Sequence, residues 1–150
     1  KNGFLNMNKI VKETNESIET FKIKCDNYNS KVKTLSGGNI QKVVVAREFT
    51  SKPKILIASQ PTRGIDIGAA ELIREKIIQL RDSIGTATIL FSADLNELLN
   101  ISDSIMVMFN GEIVAYFDDT SKLNEEILGE YMLGIKKHSE EEIGGLIHEE

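Results

Sequence analysis

LSGGNIQKVVVAREFT at residues 35–50, followed past Pro53 by ILIA at 55–58 and SQPTRGID at 59–66, is the stretch whose reading decides the fold. Ser36-Gly37-Gly38 opens a segment that reads as a helix ending before Pro53. Val43, Val44 and Val45 are weak helix formers, so that helix depends on packing. Ile55–Ala58 is a short continuous apolar run, which predicts a strand covered on both faces. Its C-terminal end runs directly into Ser59-Gln60-Pro61-Thr62-Arg63-Gly64-Ile65-Asp66. In open α/β sheets, ligand chemistry sits at that end of a parallel strand. A serine and two glycines at a helix start also form an anion site by construction, because free N–H groups and the helix dipole converge there. By itself Ser-Gly-Gly before a helix is usually only a cap and turn, with Ser36 a plain N-cap.

Outward from this centre the alternation continues. Residues 1–25 read as a helix, with Met7, Ile10, Val11, Thr14, Ile18 and Phe21 at helical spacing and Asn6 as a cap. Residues 26–34 are polar and turn-like. Residues 68–82 predict a helix with Leu72, Ile73, Ile77 and Leu80 on one face and Gly85 as its stop. Thr86–Phe91 is a second apolar strand, and Asp94–Leu99 a short helix capped by Ser92 or Asp94. Asn110-Gly111 between Ile105–Phe109 and Glu112–Phe117 is a strong hairpin signal. Thr120–Leu133 predicts a helix stopped by Gly134, and the acidic run from Lys136 to Glu150 a loosely ordered tail. Strand, helix, strand, helix and hairpin give an α/β fold, mostly parallel with an antiparallel edge hairpin. The expected division is a helical subdomain at 1–52, an α/β core at 53–118, and a C-terminal helix and tail at 119–150.

Composition narrows the classes. The chain has 150 residues, 41% hydrophobic and 27% charged, with a mean hydropathy of -0.17. That excludes disorder over the whole length. No apolar stretch approaches the roughly 18 residues that a membrane helix needs. One cysteine, Cys25, expected as a small buried residue, leaves no internal disulfide and points to a reducing compartment. Two histidines, His138 and His148, offer no zinc spacing with it. Residues 1–54 carry eleven Lys/Arg against five Asp/Glu, and the remainder seven against eighteen. A basic first third suits a phosphate-bearing ligand, and it also suits a solvated face. The net charge of -5 argues against a dedicated nucleic-acid binder. Met106, Met108 and Met132 read as core filler.

The motifs together resemble the ATP-binding subunits of ABC transporters. LSGGNIQK resembles the signature, ILIA-SQ the Walker B strand, PTRGID the D-loop, TILFSADLNEL the switch region, and SDSIMVM with NGEIV the closing hairpin, all in family order. GFLNMNKI near the start and PTRGID resemble the importers of simple sugars and nucleosides in particular. The implied fold is a partial P-loop NTPase domain with part of its helical subdomain. No Gly-Lys-Ser/Thr occurs anywhere in the chain, so the family's Walker A loop is missing. The expectation is the C-terminal part of the second of two nucleotide-binding domains, inactive alone.

The resemblance implies roles residue by residue. Ser36, Gly37, Gly38 and Asn39 (where many relatives carry Gln) would contact ATP held by another domain's Walker A loop, with Asp66 crossing the interface. Asp66 reads equally as a helix cap, and the two roles are compatible. Ser59 and Gln60 stand where the family usually has the Mg²⁺-supporting Asp and the catalytic Glu, and Ala93 stands at the switch histidine. Ser59 brings no charge, Gln60 cannot accept a proton, and Ala93 cannot touch a phosphate. That half-site is therefore degenerate. Arg47 reads as an ion-pair partner, and Arg63 as an interface or anchoring residue. Implied cofactors are ATP and Mg²⁺ in the intact protein. Implied partners are the other nucleotide-binding domain, transmembrane permease subunits and, indirectly, an extracytoplasmic substrate-binding protein, at the cytoplasmic face of the membrane. The isolated chain is also expected to self-associate, or to rearrange its sheet, through the edge and face bared near Ile55–Ala58 and Thr88–Phe91. The competing functions are a soluble ABC-type ATPase acting in translation or on DNA, and a stand-alone interaction module.

Overall fold

The structure, a computed structural model, describes residues 5–148. They fold as two compact units, the first running to Phe91 and the second starting at Ser92. In the first unit, α1 (Met7–Thr20) starts where Asn6 Oδ1 accepts from Lys9 N at 3.1 Å, as its cap position predicts. The helix ends five residues earlier than expected. Lys22 turns into the left-handed region at φ 50°, and Phe21 and Ile23 on either side of it are buried. Burying two apolar side chains outweighs extending the helix, since each is worth roughly 1.5–3 kcal/mol when removed from water. A 3₁₀ turn at Val32–Thr34 leads to α2 (Gly37–Thr50). Lys42, Val45, Ala46 and Phe49 form its buried stripe, and the Phe49 ring lies 6.2 Å from that of Phe21.

β1 (Ile55–Ser59) and β2 (Ala87–Phe91) pair in parallel, Ile57 opposite Ile89 and Ser59 opposite Phe91. Between them α3 (Ile67–Ile84) buries Ala69, Ala70, Ile73 and Ile77 and stops at Gly85, whose φ of 68° suits glycine. The expectation that β1 is covered on both faces is corrected. Leu56 and Ala58 are buried, while Ile55 and Ile57 keep 67% and 68% of their surface and Ile89 and Phe91 keep 52% and 49%. Register places these four on one face, so the unit covers only the other.

In the second unit, α4 (Leu95–Ile101) is capped by Asp94, which accepts from Glu97 N at 3.2 Å. β3 (Ile105–Phe109) and β4 (Glu112–Phe117) form the antiparallel hairpin, with Asn110 and Gly111 both at positive φ, as that dipeptide predicts. The parallel pair and the hairpin thus form two separate two-stranded sheets among the described residues. α5 (Glu125–Met132) begins at its Asn124 cap instead of at Thr120, because 120–123 is taken up by a turn closed by Leu123 N on Thr120 O. Ile105, Val107, Val114, Ala115 and Leu128 form the core. Met106, Met108 and Met132 are exposed and are not core filler. In β3 the strand alternation that turns Ile105 and Val107 inward turns both methionines out. Cys25 is half-buried, less sheltered than expected.

The expected loose tail is also corrected. His138 N donates to Val114 O at 2.9 Å, and the ring stands edge-on to Phe117 and Tyr131 at 4.9 and 5.1 Å. Beyond it lies α6 (Glu140–His148). Ser139 N donates to Glu142 Oε2 at 2.6 Å and Glu142 N donates to Ser139 Oγ at 3.2 Å, a reciprocal capping box. That bonding, led by the Ser139 backbone N–H, holds the Glu142 carboxyl below its ordinary value. Glu149 and Glu150 lie outside the described residues.

Leu128 is 1% exposed at the centre of the second core. Leu128→Ala should therefore cost about 2–5 kcal/mol in denaturant unfolding. Met108→Ala, on the outer face, should cost less than about 0.5 kcal/mol.

Candidate functional site

The first unit brings LSGG and the 59–66 loop together through α2. Ser36 caps the helix by position only: its backbone is extended, Ile40 N donates to its carbonyl at 2.9 Å, and its hydroxyl makes no capping bond. This decides against Ser36 as a plain side-chain cap. Instead Ser36 Oγ accepts from Asn39 Nδ2 at 2.9 Å, while Asn39 Oδ1 accepts from Lys24 N at 2.8 Å. The N–H groups of Gly37, Gly38 and Asn39 belong to the first turn, where no carbonyl lies one turn back to receive them. A Cβ at Gly37 would meet nothing within 4 Å, so the approach to this helix end is open.

The 59–66 loop is held against the same helix. Gln41 Nε2 donates to Pro61 O at 3.0 Å, and Ile65 Cγ2 lies 3.8 Å from where a Gly38 Cβ would stand. Lys42, 8% exposed, donates from Nζ to Lys22 O at 3.2 Å and faces Asp66 Oδ2 at 3.9 Å. Asp66 also caps α3, accepting from Ala69 N at 2.9 Å. Its carboxyl is held below the ordinary value, first by that Ala69 bond. Desolvation by the neighbouring chain opposes the shift, and the charges of Lys42 and, more weakly, Lys24 add to it.

Ser59 is exposed at the end of β1, and Gln60 is half-buried just beyond, its N–H donating to Phe91 O at 2.8 Å. Gln60 sits at φ 50° and its carbonyl accepts from Arg63 N at 3.1 Å, closing the turn. Both side chains offer neutral oxygens only. Magnesium favours carboxylates, and no group of three His, Cys, Asp or Glu gathers among the described residues. Ser59 and Gln60 therefore do not fit a Mg²⁺ site. Ala93 lies in the second unit, exposed, between Ser92 and the α4 cap Asp94, and its methyl can make no hydrogen bond. Arg47 pairs with its neighbour Glu48 at 2.6 Å, as expected. Arg63 is exposed. Sequence reading missed Gln41, Lys42 and Lys24. The only signal was a pair of polar residues, Gln41 and Lys42, one turn past the glycines and just before the apolar run Val43–Ala46.

A parallel strand pair, a helix opened by LSGG and a closing hairpin are the parts of an ABC ATPase cassette, and solved structures agree. The chain superposes on a dimeric ATP-binding cassette in a post-hydrolysis state, bound to ADP and Pi, with a TM-score of 0.68 and 25% identity over 77% of this chain and 50% of that one. Its homologues are the ATP-binding proteins of nucleoside and sugar importers. It is 42% identical over 134 residues to the nucleoside import ATP-binding protein NupA of Lactococcus lactis subsp. cremoris, covering 89% of this chain. It is 38% identical over 132 residues, 88% of this chain, to the guanosine import ATP-binding protein NupO of Bacillus subtilis. Over 100 residues, 67% of this chain, it is 46% identical to the glucose import ATP-binding protein TsgD13 of Haloferax volcanii. The chain spans 26% of the length of each of the first two relatives and 18% of the third. No family model matches. No helix among the described residues is long and apolar enough to cross a membrane.

Lys42→Met should raise the Asp66 pKa part of the way toward its ordinary 3.8, since the leading Ala69 bond remains. Carboxylate NMR titration measures this directly. Because the folded value is depressed, the stability contributed by Asp66 is fully present above the ordinary value and is lost as pH falls through the folded one. The variant should show a weaker loss of stability over that acid window.

Proposed function

We propose that this chain supplies the signature side of a composite ATP site in the energy-coupling subunit of an importer for nucleosides or simple sugars. The observation that carries the reading is the open end of α2, where the Ser36 hydroxyl is left uncommitted as a cap beside the first-turn N–H groups. Ser36 Oγ–H and the N–H groups of Gly37 and Gly38 donate to terminal phosphate oxygens of an ATP held chiefly by the Walker A loop of a second cassette. When bound, ATP supplies the phosphoryl group whose transfer to water drives import. This chain's part is to orient that group and stabilise charge on it. Asp66, fixed by Ala69 and Lys42, lines the facing surface.

The proposed partners are a second nucleotide-binding domain, membrane permease subunits and, through them, a substrate-binding protein, with the chain at the cytoplasmic face of the membrane. The names of the similar proteins support an importer, and an ATPase acting in translation or on DNA is not favoured. The half-site at Ser59 and Gln60 has no proton acceptor and is the slow member of two unequal sites. Losing general-base assistance alone costs roughly 10²–10⁴ in rate. Copies of the isolated chain associate through the exposed face of Ile55, Ile57, Ile89 and Phe91. Sedimentation should show concentration-dependent mass that Ile57→Lys reduces, and a clean monomer at high concentration would count against it.

The central test is ATP turnover at saturating ATP in the protein as the cell makes it. Ser36→Phe should remove most activity, while Gln60→Ala should change it less than about threefold, since no base is lost. The opposite pattern would place the working site on Gln60 and defeat the assignment.

A further inference from the structure

Asn39 uses both ends of its side-chain amide inside the protein. Its oxygen takes the Lys24 N–H at 2.8 Å, which fixes which end is nitrogen, and that nitrogen gives a proton to Ser36 Oγ at 2.9 Å. A hydroxyl has one proton to give and two lone pairs to receive with. Once an N–H from Asn39 occupies a lone pair, the Ser36 proton is not needed on that side. Nor is the hydroxyl turned back to cap its own helix, since it makes no bond to the N–H groups behind it. Ser36 is exposed, so its proton is free to face the open approach to the helix end. A serine left alone at this position would divide its time between capping the helix, by accepting, and donating outward.

We propose that Asn39 is a positioning residue: it presets the Ser36 hydroxyl as an outward donor to a phosphate oxygen, and the Lys24 amide holds Asn39 in the orientation that does so. The proposal rests on the reading of Ser36 as a phosphate contact. It goes further in assigning Asn39 a role through Ser36, where the family resemblance implies a direct contact with ATP. Lys24 belongs to the turn after α1, the same turn that Lys42 Nζ holds at the Lys22 carbonyl. Asn39 and Lys42, three residues apart on α2, therefore grip one short segment, and only Asn39 relays that grip to Ser36.

The test is a double-mutant cycle in the protein as the cell makes it, with ATP turnover of wild type, Asn39→Ala, Ser36→Ala and the double variant. Hydrogen-exchange protection of the Lys24 amide, measured alongside, reports whether the anchor is lost. The expected result is a roughly tenfold or larger loss for Asn39→Ala in the presence of Ser36, because a hydrogen bond to a charged group is at stake. In the Ser36→Ala background the same change should cost less than about twofold, with Lys24 protection lost equally in both. A merely structural role predicts equal losses in the two backgrounds, and that outcome overturns the proposal while leaving the site reading intact. Full turnover in Ser36→Ala overturns the reading of the site itself, and this inference with it.

Discussion

A lysine ammonium that is nearly out of water imposes the constraint on which the first unit depends. The Lys42 side chain keeps only 10% of its exposure, and charge withdrawn from solvent is costly unless bonded. Two partners answer it, the Lys22 carbonyl at 3.2 Å and the Asp66 carboxylate at 3.9 Å. They lie on different segments, so satisfying one charge fixes both segments against α2. The Asp66 side is open to solvent, where an ion pair contributes little by itself. What matters is the removal of alternatives: few arrangements of the turn after α1 and the 59–66 loop keep Lys42 satisfied. Gln41 on Pro61 and Asn39 on Lys24 lock the same two segments from the same helix.

From that lock follows the asymmetry of the chemistry. At the N-terminal end of α2 the protein presents first-turn N–H groups and a hydroxyl that accepts from Asn39 and keeps its own proton free, within the basic first third of the chain. At the end of β1 it presents the neutral side chains of Ser59 and Gln60, which bring no carboxylate to attract Mg²⁺ and no base to take a proton from water. Donors without a base suit holding an anion, not activating a water. The unusual φ of Gln60 serves the turn that delivers Pro61 to Gln41 and Asp66 to Lys42.

Much of this was legible because local chemistry decided it. Asn6, Asp66 and Asp94 are caps, Gly85 ends a helix, and Asn110-Gly111 turns a hairpin, each for reasons confined to a few residues. The Ser36-Gly37-Gly38 end and the loop at Asp66 were visible for the same reason. Interactions between segments were not. Nothing in Asn39 announces Lys24, fifteen residues earlier, and nothing in Lys42 announces a carbonyl twenty residues earlier. The C-terminal helix is a different case. Ser139-x-x-Glu142 is a capping signature in plain sight, hidden by reading three glutamates only as charge. His138 depended on the fold, since it anchors through Val114 and two rings that sequence does not place beside it.

The uncovered strand face shows what an apolar run does and does not encode. Ile55-Leu56-Ile57-Ala58 is apolar at every position, which requires that both faces avoid water. Folding within the unit satisfies that for Leu56 and Ala58 and leaves Ile55 and Ile57 about two-thirds exposed. β3 behaves oppositely in origin and alike in outcome: Ile105 and Val107 turn inward, and the softer Met106 and Met108 face outward. The run thus records the total demand for covering layers, while pairing and packing within the unit decide how much is met. What remains unmet is a face of β-branched and aromatic side chains, already rigid in a paired sheet, so covering it would require little further ordering of backbone. Because β1 also ends at Ser59, anything that packs on this face stands one strand-end away from the loop that Lys42 holds.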